Sequence, residues 1–590
     1  MRTHYPRTAH LPWSPGATSD DMRAGDLSGL VGREVVVTEK LDGENTTLYS
    51  DGLHARSLDS AHHPSRAWVK ALQGRIASAI PRGWRVCGEN LYARHSIEYR
   101  DLESWFYGFS VWDGDRCLDW DRTVRFTRRL GIPVPPVLWR GVFDERALRA
   151  LRLDTSRQEG YVVRTVEGFD REEFARRVAK WVRREHVQTD THWMLAPVQV
   201  NALGPAASLW GVRSGTAADV PSLLEVVGVT PSELGGSAEL APAVERAEAA
   251  ASDALARLDL LGRLGDARLA GVLAAVLHGT RRAWLAPRLV APLGMPLARR
   301  VADLVGLHTA LHRPFPDEER RAGLVRLAAA ADLGVLHAVA GAVLAGRADE
   351  ESADAREQVD WSALHAEDAG LLGETPLGPL RAGLRRALGD RDADVADRCW
   401  AEAREAYALG RITTAEEAVA LSWRWRSGTF PRLVHLVGPS GSGKSGFAGG
   451  LPGADEIVSL DDLREAQGSR SDQRANAAVL RAGLDRLDTA LAGGGTVIWD
   501  ATSLNQHQRA LVHAVARRRD ALITHAVLLI DEDELVRRND GRTHRVPPEV
   551  LSAQLARFSP PYPGQGHRTW YVGPAGTVED VAGTLDGEEE

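Results

Sequence analysis

The chain has 590 residues, 44% hydrophobic and 26% charged, a globular composition that excludes a disordered or fibrous protein and a length that calls for three or four domains. No apolar run reaches the ~18–20 residues of a membrane helix; the polar start MRTHYPRTAHLPWS lacks a signal-peptide pattern, and Cys87, Cys117 and Cys399 supply neither a disulfide framework nor a CxxC pair, so a cytoplasmic protein without zinc is expected. The net charge of −8 is uneven: Lys+Arg against Asp+Glu is 30 to 27 in residues 1–200, 23 to 31 in 201–420 and 19 to 22 in 421–590, which leaves room for a local basic groove in the first third.

Taken in chain order, residues 30–200 alternate short β-like runs (EVVVTEKLDG, TTLYSDG, WRVCGENLYA, WFYGFSVWDGD, QEGYVVRTVEG) with Gly, Asp and Asn turns, and two helical stretches interrupt them. This predicts an α+β domain over 1–204 built on antiparallel sheet. Residues 205–240, rich in Gly, Pro and Ser, read as a linker, and 241–415 as an all-α domain with a loop-like region at 346–380. From 431, RLVHLVG runs into a Gly-rich loop and helix, predicting a doubly wound α/β domain over 425–580, and 581–590 reads as a solvated acidic tail.

Lysine is the sharpest compositional clue. The chain has four (Lys40, Lys70, Lys180, Lys444) against 68 arginines. A guanidinium stays charged and cannot be a nucleophile, whereas an amine whose pKa is lowered can lose its proton and attack. Lys40 ends a hydrophobic strand before an Asp-Gly turn, and polar residues recur downstream at strand ends: Glu89 in VCGENLY, Glu159 in EGYVVR and Lys180 in VAKWVR.

This constellation resembles the covalent nucleotidyltransferases, the ATP-dependent ligases and mRNA capping enzymes whose signature is K-x-D-G, over residues ~30–190. The resemblance implies that Lys40 attacks the α-phosphate of ATP to give lysyl-AMP. It implies further that Asp42, Gly43, Asn45 and Arg56 bind the nucleotide, Glu89 contacts the ribose, Phe109 stacks on adenine, and Glu159 binds the metal (Mg²⁺ or Mn²⁺). Lys180 and the metal are expected to depress the pKa of Lys40. Lys40-Leu41-Asp42-Gly43-Glu44-Asn45 ends in Asn where DNA ligases and capping enzymes have Arg, and the chain turns helical after the last motif where those enzymes carry a β-barrel, so it looks like the RNA ligase branch. Two positions depart from that branch: Ser110 follows Phe109 where an acid is common, and the last motif offers Lys180 and Arg183 rather than two lysines. Arg183, Arg184 and His186 are candidate RNA contacts.

The second site is Gly438-Pro-Ser-Gly-Ser-Gly443-Lys444-Ser445, a GxxxxGK[ST] loop between a strand and a helix. Gly438, Gly441, Ser442 and Gly443 let backbone N–H groups wrap the phosphates, Lys444 reaches the terminal phosphates, and Ser445 takes Mg²⁺. Asp461 and Arg464 follow the next strand, Asp500 ends another, and Arg538 and Arg542 lie four apart on a predicted helix face. This order resembles the polynucleotide 5′-kinases over ~430–575. That implies Asp461 as base (Asp462 being the alternative), Arg464 on the acceptor phosphate, and Arg538 and Arg542 in a lid over the donor. A small-molecule kinase is the rival reading. The helical middle, with His278, His308 and His312, resembles HD-type metal phosphohydrolases but has His278-Gly279 where the dyad needs Asp, and AGAVLAGR lacks the late aspartate that family needs, so it reads as degenerate.

Together these readings predict a multidomain RNA end-healing and sealing enzyme that uses ATP and a divalent metal on RNA with 5′-OH or 5′-phosphate and 3′-OH ends. A DNA nick kinase-ligase and a nucleotide-gated RNA sensor are the alternatives, and the sequence carries no sign of oligomeric state.

Overall fold

The computed structural model describes residues 2–56, 63–184, 197–234, 240–466, 476–542 and 545–587. The chain folds as two compact units, residues 1–226 with 262–269, and residues 227–261 with 270–590. No single described helix is long and apolar enough to cross a membrane.

The first unit is sheet-rich. One five-stranded sheet runs in the order Ala9–His10, Val178–Val182, Gly160–Thr165, Glu34–Lys40, Val137–Val142, antiparallel except for the first pair. The strand that ends in Lys40 buries Val35, Val36 and Val37 completely, because both of its faces are covered. A second, six-stranded antiparallel sheet has the order Phe169–Asp170, Arg116–Cys117, Phe106–Asp113, Trp84–Asn90, Glu44–Tyr49, Gly52–Ala55. Helix Ala67–Ile76 lays Val69, Leu72 and Ile76 on it, against Leu48, Val86, Phe106 and Val111. This arrangement burying an apolar stripe at i, i+3 and i+7 is what a short amphipathic helix needs for stability.

The second unit combines helices with an α/β sheet. Its strands run in the order Glu456–Ser459, Thr496–Asp500, Arg432–Val437, Leu522–Leu528, Arg568–Val572, Val578–Ala582, parallel except for the last. Helix Gln506–Arg518, which packs on this sheet through Val512, Val515 and Ala516, starts with a capping box in which Asn505 and Gln508 satisfy each other's backbone N–H groups. Ion pairs, buried or partly buried, join the helical part to the sheet: Arg568 to Asp397 (2.9 Å) and Asp394 (2.7 Å), Arg398 to Asp520 (2.7 Å), and Arg299 to Asp580 (2.6 Å).

Three expectations from composition fail. Residues 205–240 are not a loose linker: Ala207–Arg213 and Val220–Val227 are helices, and Leu209, Val212 and Leu223 are buried. Their glycines and proline act as helix punctuation, Gly215 and Gly228 at positive φ (89° and 66°) and Pro231 opening a 3-10 turn; residues 235–239 lie outside the described residues. Residues 346–380 are mostly helix, Glu350–Asp368 with the start of Gly378–Leu388, because a charge-dense surface still leaves Ala355, Val359 and Ala366 as a buried stripe. The tail 581–590 is docked as far as it is described. Ala582 completes the edge strand, Leu585 is buried, and Arg381 donates to the carbonyls of Thr584 (2.8 Å) and Leu585 (2.9 Å); residues 588–590 lie outside the described residues.

Candidate active sites

Strand pairing assembles the first site. Lys40 stands opposite Gly160, which brings the preceding Glu159 beside it, and Lys180 stands opposite Val162 on the other edge of the same strand. Gly160 is required by a close approach: a Cβ there would lie 1.9 Å from the carbonyl oxygen of Trp181. Gly43 is required in the same way, since its Cβ would meet the carbonyl oxygen of Asn90 at 2.5 Å.

Lys40 Nζ donates to Glu159 Oε2 at 2.5 Å, with the Glu159 carboxylate almost fully buried. Burial opposes the ammonium, but Glu159, Glu89 and Asp42 outweigh it and hold Lys40 above the ordinary lysine range. In the protein without nucleotide or metal the charges acting on Lys40 are carboxylates, and the expected depression by Lys180 and a metal belongs to the loaded site. Burial pushes Glu89 up to about 8, only partly offset by Lys40, and one of its oxygens accepts from the Gly43 N–H at 3.2 Å. Lys180 is lowered by burial and by the charge of Lys40.

The other expected residues are placed as follows. Asp42 accepts from Ser96 N (2.8 Å), Ser96 Oγ (2.5 Å) and Ile97 N (3.0 Å), while its own N–H donates to Tyr99 Oη (2.9 Å), so its carboxylate locks the turn after Lys40. Asn45 pairs with Glu89 across the second sheet. Arg56 is exposed at the end of strand Gly52–Ala55, close enough for its charge to act on Lys180. Phe109 is half-buried, edge-on to Tyr5 at 5.2 Å. Ser110 is a core residue, its Oγ 3.4 Å from Cys117 Sγ, so the missing acid there reflects packing. Arg183 donates its N–H to the Glu159 carbonyl (3.0 Å), Arg184 is exposed, and His186 lies outside the described residues. Sequence reasoning missed Asp21, whose charge acts on Lys180 and which lies 3.6 Å from His10. It also missed the buried Arg66–Glu44 pair (Nε to Oε2 2.7 Å) within the motif itself. Neither leaves a local pattern, since each partner is far away in sequence.

In the second site Gly441 and Gly443 take positive φ (87° and 97°), and Gly443 caps helix Lys444–Gly450. A Cβ on Gly438 would fall 2.8 Å from Ser442 Oγ, so the loop closes tightly. Lys444 is buried, its Nζ on the Pro439 carbonyl at 2.8 Å, and burial lowers it to about 8. Ser445 Oγ donates to Asp500 Oδ2 at 2.7 Å, and burial raises Asp500. Asp461 and Arg464 pair with each other in helix Leu460–Ala466, and the charge of Asp461 reaches Lys444. Arg538 lies beside Gly443, but helix Glu532–Asp540 ends before Arg542, which sits past Gly541 rather than on the same helix face. Gln554 Oε1 accepts from the Ser440 N–H of the loop at 2.8 Å, a contact with no sequence signature.

In the helical part, His308 and His312 lie on a 3-10 turn, and the rings of His278, His308 and His312 are spent on carbonyls of Ala275, Val305 and Ala340. They form no metal-type cluster among the described residues.

Comparison with known proteins fits both halves. Residues 33–182 match the RNA ligase family model and residues 433–561 an AAA domain model. No curated protein matches the chain. Among solved structures it is similar to Naegleria gruberi RNA ligase with pyrophosphate (TM-score 0.22, 19% identity, 28% of this chain and 56% of that one). A lysine-to-alanine mutant of the same ligase with ATP and Mn matches comparably (TM-score 0.22, 17% identity, 30% and 61%). A gluconokinase from Sinorhizobium meliloti 1021 aligns with TM-score 0.19, 23% identity, 25% and 86%. The chain thus spans 56–61% of the length of the ligase structures it matches. It carries an RNA ligase domain toward its N-terminus and an AAA-type P-loop domain toward its C-terminus, joined by a helical middle.

Proposed function

We propose that the chain phosphorylates 5′-OH ends of RNA at Lys444 and joins the resulting 5′-phosphate to a 3′-OH at Lys40. The observation that carries the reading is that two of only four lysines, among 68 arginines, sit among the groups their chemistry requires, Lys40 on Glu159 and Lys444 in the phosphate loop.

At the ligase site the Lys40 amine must be neutral to attack the α-phosphate of ATP, form a phosphoramidate and expel pyrophosphate. Glu159 keeps that amine protonated and aimed until the site is loaded. Two carboxylates, the buried Glu159 and the half-buried Glu89, face one ammonium, which is the hard-oxygen donor set suited to Mg²⁺ or Mn²⁺. A divalent ion held there would neutralise phosphate charge. Lys180, with its lowered pKa, and Arg56 add positive charge on the other side of Lys40 for the phosphates. The AMP then passes to the RNA 5′-phosphate, and the 3′-OH displaces it. At the kinase site the loop N–H groups and Lys444 position the γ-phosphate, Ser445 and Asp500 form the polar pair suited to Mg²⁺, and Asp461 takes the proton of the 5′-OH. The helical middle is a scaffold for the kinase in this reading and adds no phosphohydrolase step.

The test is a 5′-OH RNA strand annealed beside a 3′-OH strand on a complementary splint, incubated with γ-labelled ATP. Joining that buries the label at the junction supports the reading. End-labelling without joining removes the ligase half, and joining only of pre-phosphorylated strands removes the kinase half.

A further inference from the structure

Behind the P-loop, three histidines from three elements meet in the core. His435 lies in strand Arg432–Val437, three residues before Gly438, and stands opposite His525 of strand Leu522–Leu528. His513 descends from helix Gln506–Arg518 onto the same side. One ring nitrogen from each lies within 4.8 Å of the others, and all three residues are buried. Nε2 of His513 and Nε2 of His525 face each other at 2.9 Å, and Nε2 of His435 meets Ser503 Oγ at 2.8 Å. Ser503 itself holds a left-handed backbone (φ 47°), uncommon for a residue with a Cβ.

Protein hydrogen bonds do not complete this cluster. Three neutral imidazoles offer three donors and three acceptors, yet Nδ1 of His435 and Nδ1 of His525 are buried with no partner. An unpaired buried polar atom is costly, and two in one cluster require a reason. Burial keeps all three rings neutral, His513 down to about 4, so their lone pairs are available to a cation. Gly566 faces Nδ1 of His525, where a Cβ would come within 2.9 Å, so the absence of a side chain there leaves that nitrogen room.

We propose that His435, His513 and His525 form a zinc-class metal site that pins two strands and a helix behind the P-loop, with Ser503 Oγ or water in the fourth place. Three imidazoles select borderline ions such as Zn²⁺ and exclude Mg²⁺ and Ca²⁺, which prefer oxygen. Zn–N bonds of about 2.0–2.1 Å in a tetrahedron place ligand nitrogens roughly 3.3 Å apart, and the three ring nitrogens here lie within 4.8 Å of one another, one pair at 2.9 Å. The charges of Arg517 and Arg509 reach the cluster, and the Arg509 guanidinium donates to the carbonyls of Ser503 (3.2 Å) and Ser559 (2.9 Å). Its charge favours an anionic fourth ligand, a hydroxide or a deprotonated Ser503. The cysteine count, which argued against zinc, does not bear on a site made of histidine alone.

The test uses the full chain purified without a histidine tag. Elemental analysis should find about one zinc per chain after desalting from a Zn²⁺-containing buffer, and X-ray absorption of that wild-type protein should show about three imidazole ligands. Wild type stripped with chelator should develop the intense visible d–d bands of a four-coordinate site on adding Co²⁺. His513→Ala should lose both the zinc and the cobalt bands. A wild-type protein that retains neither metal overturns the site, as does a His513→Ala chain that retains zinc; the wild-type spectra decide the matter even where that variant fails to fold.

Discussion

Replacing Glu159 by Gln isolates the interaction that holds Lys40. The pair is 2.5 Å apart, and the side chains keep 22% (Lys40) and 7% (Glu159) of their exposure. Removing one partner of a fully buried pair costs about 3–5 kcal/mol. Lys40 retains some contact with water and can shed its proton, so the loss near neutral pH should be smaller, about 2–3 kcal/mol. For a unit of this size that lowers the melting temperature by about 5–10 °C. The pH dependence fixes the cause. In the wild type the Lys40 pKa is raised in the folded protein, so its contribution is fully present below the unfolded pKa and is lost only as pH rises through the folded value. In Glu159→Gln burial dominates and depresses it, so the penalty is largest at low pH and fades as pH approaches the unfolded lysine value of about 10.4. Scanning calorimetry of both proteins from about pH 6 to pH 10 should show the gap narrowing with pH. A gap below about 1 °C, or one that does not change with pH, would refute the argument that Glu159 is the counter-ion.

Three further outcomes follow from the same geometry. Burial raises Glu89 to about 8, so its contribution to stability is present below the unfolded value and is lost as pH climbs through about 8. Glu89→Gln should flatten the fall in melting temperature over that window in the same calorimetry. Asp500→Asn, which leaves a hydrogen-bond partner for Ser445 but removes the charge, should cut RNA phosphorylation by about 10²-fold or more and leave self-adenylylation unchanged. Truncation after Ala582 removes the buried Leu585 and the carbonyls gripped by Arg381 and Arg385. It should destabilise the second unit by about 2–3 kcal/mol in denaturant unfolding, without touching self-adenylylation.

The sequence made legible whatever is written locally. Lys40 before its Asp-Gly turn and Lys444 within GxxxxGK[ST] are contiguous patterns, and Lys40 ends the strand while Lys444 opens the helix that their neighbours predict. Gly43 and Gly160 are forced by carbonyls in facing segments, so motif glycines speak for contacts the reader cannot yet see. What was illegible depends on distant partners. Residues 205–240 look like a linker until Leu209 and Val212 find a core, and 581–587 look like a tail until Arg381 meets them from some 200 positions away. The hydrogen-bond partner of Lys40 is illegible for the same reason. Spacing places Lys180 and Glu159 near it but does not say which comes within hydrogen-bonding distance. The histidines at 435, 513 and 525 are each unremarkable in sequence and become a cluster only when two parallel strands and a helix align.

The central claim is that two ATP sites act independently, one through a covalent lysine. It is tested most directly with ATP labelled on the α-phosphate, followed by denaturing electrophoresis of wild type, Lys40→Arg and Lys444→Arg. The account predicts a labelled protein band in wild type and in Lys444→Arg, and none in Lys40→Arg. A band that survives Lys40→Arg, or one that disappears in Lys444→Arg, would contradict it.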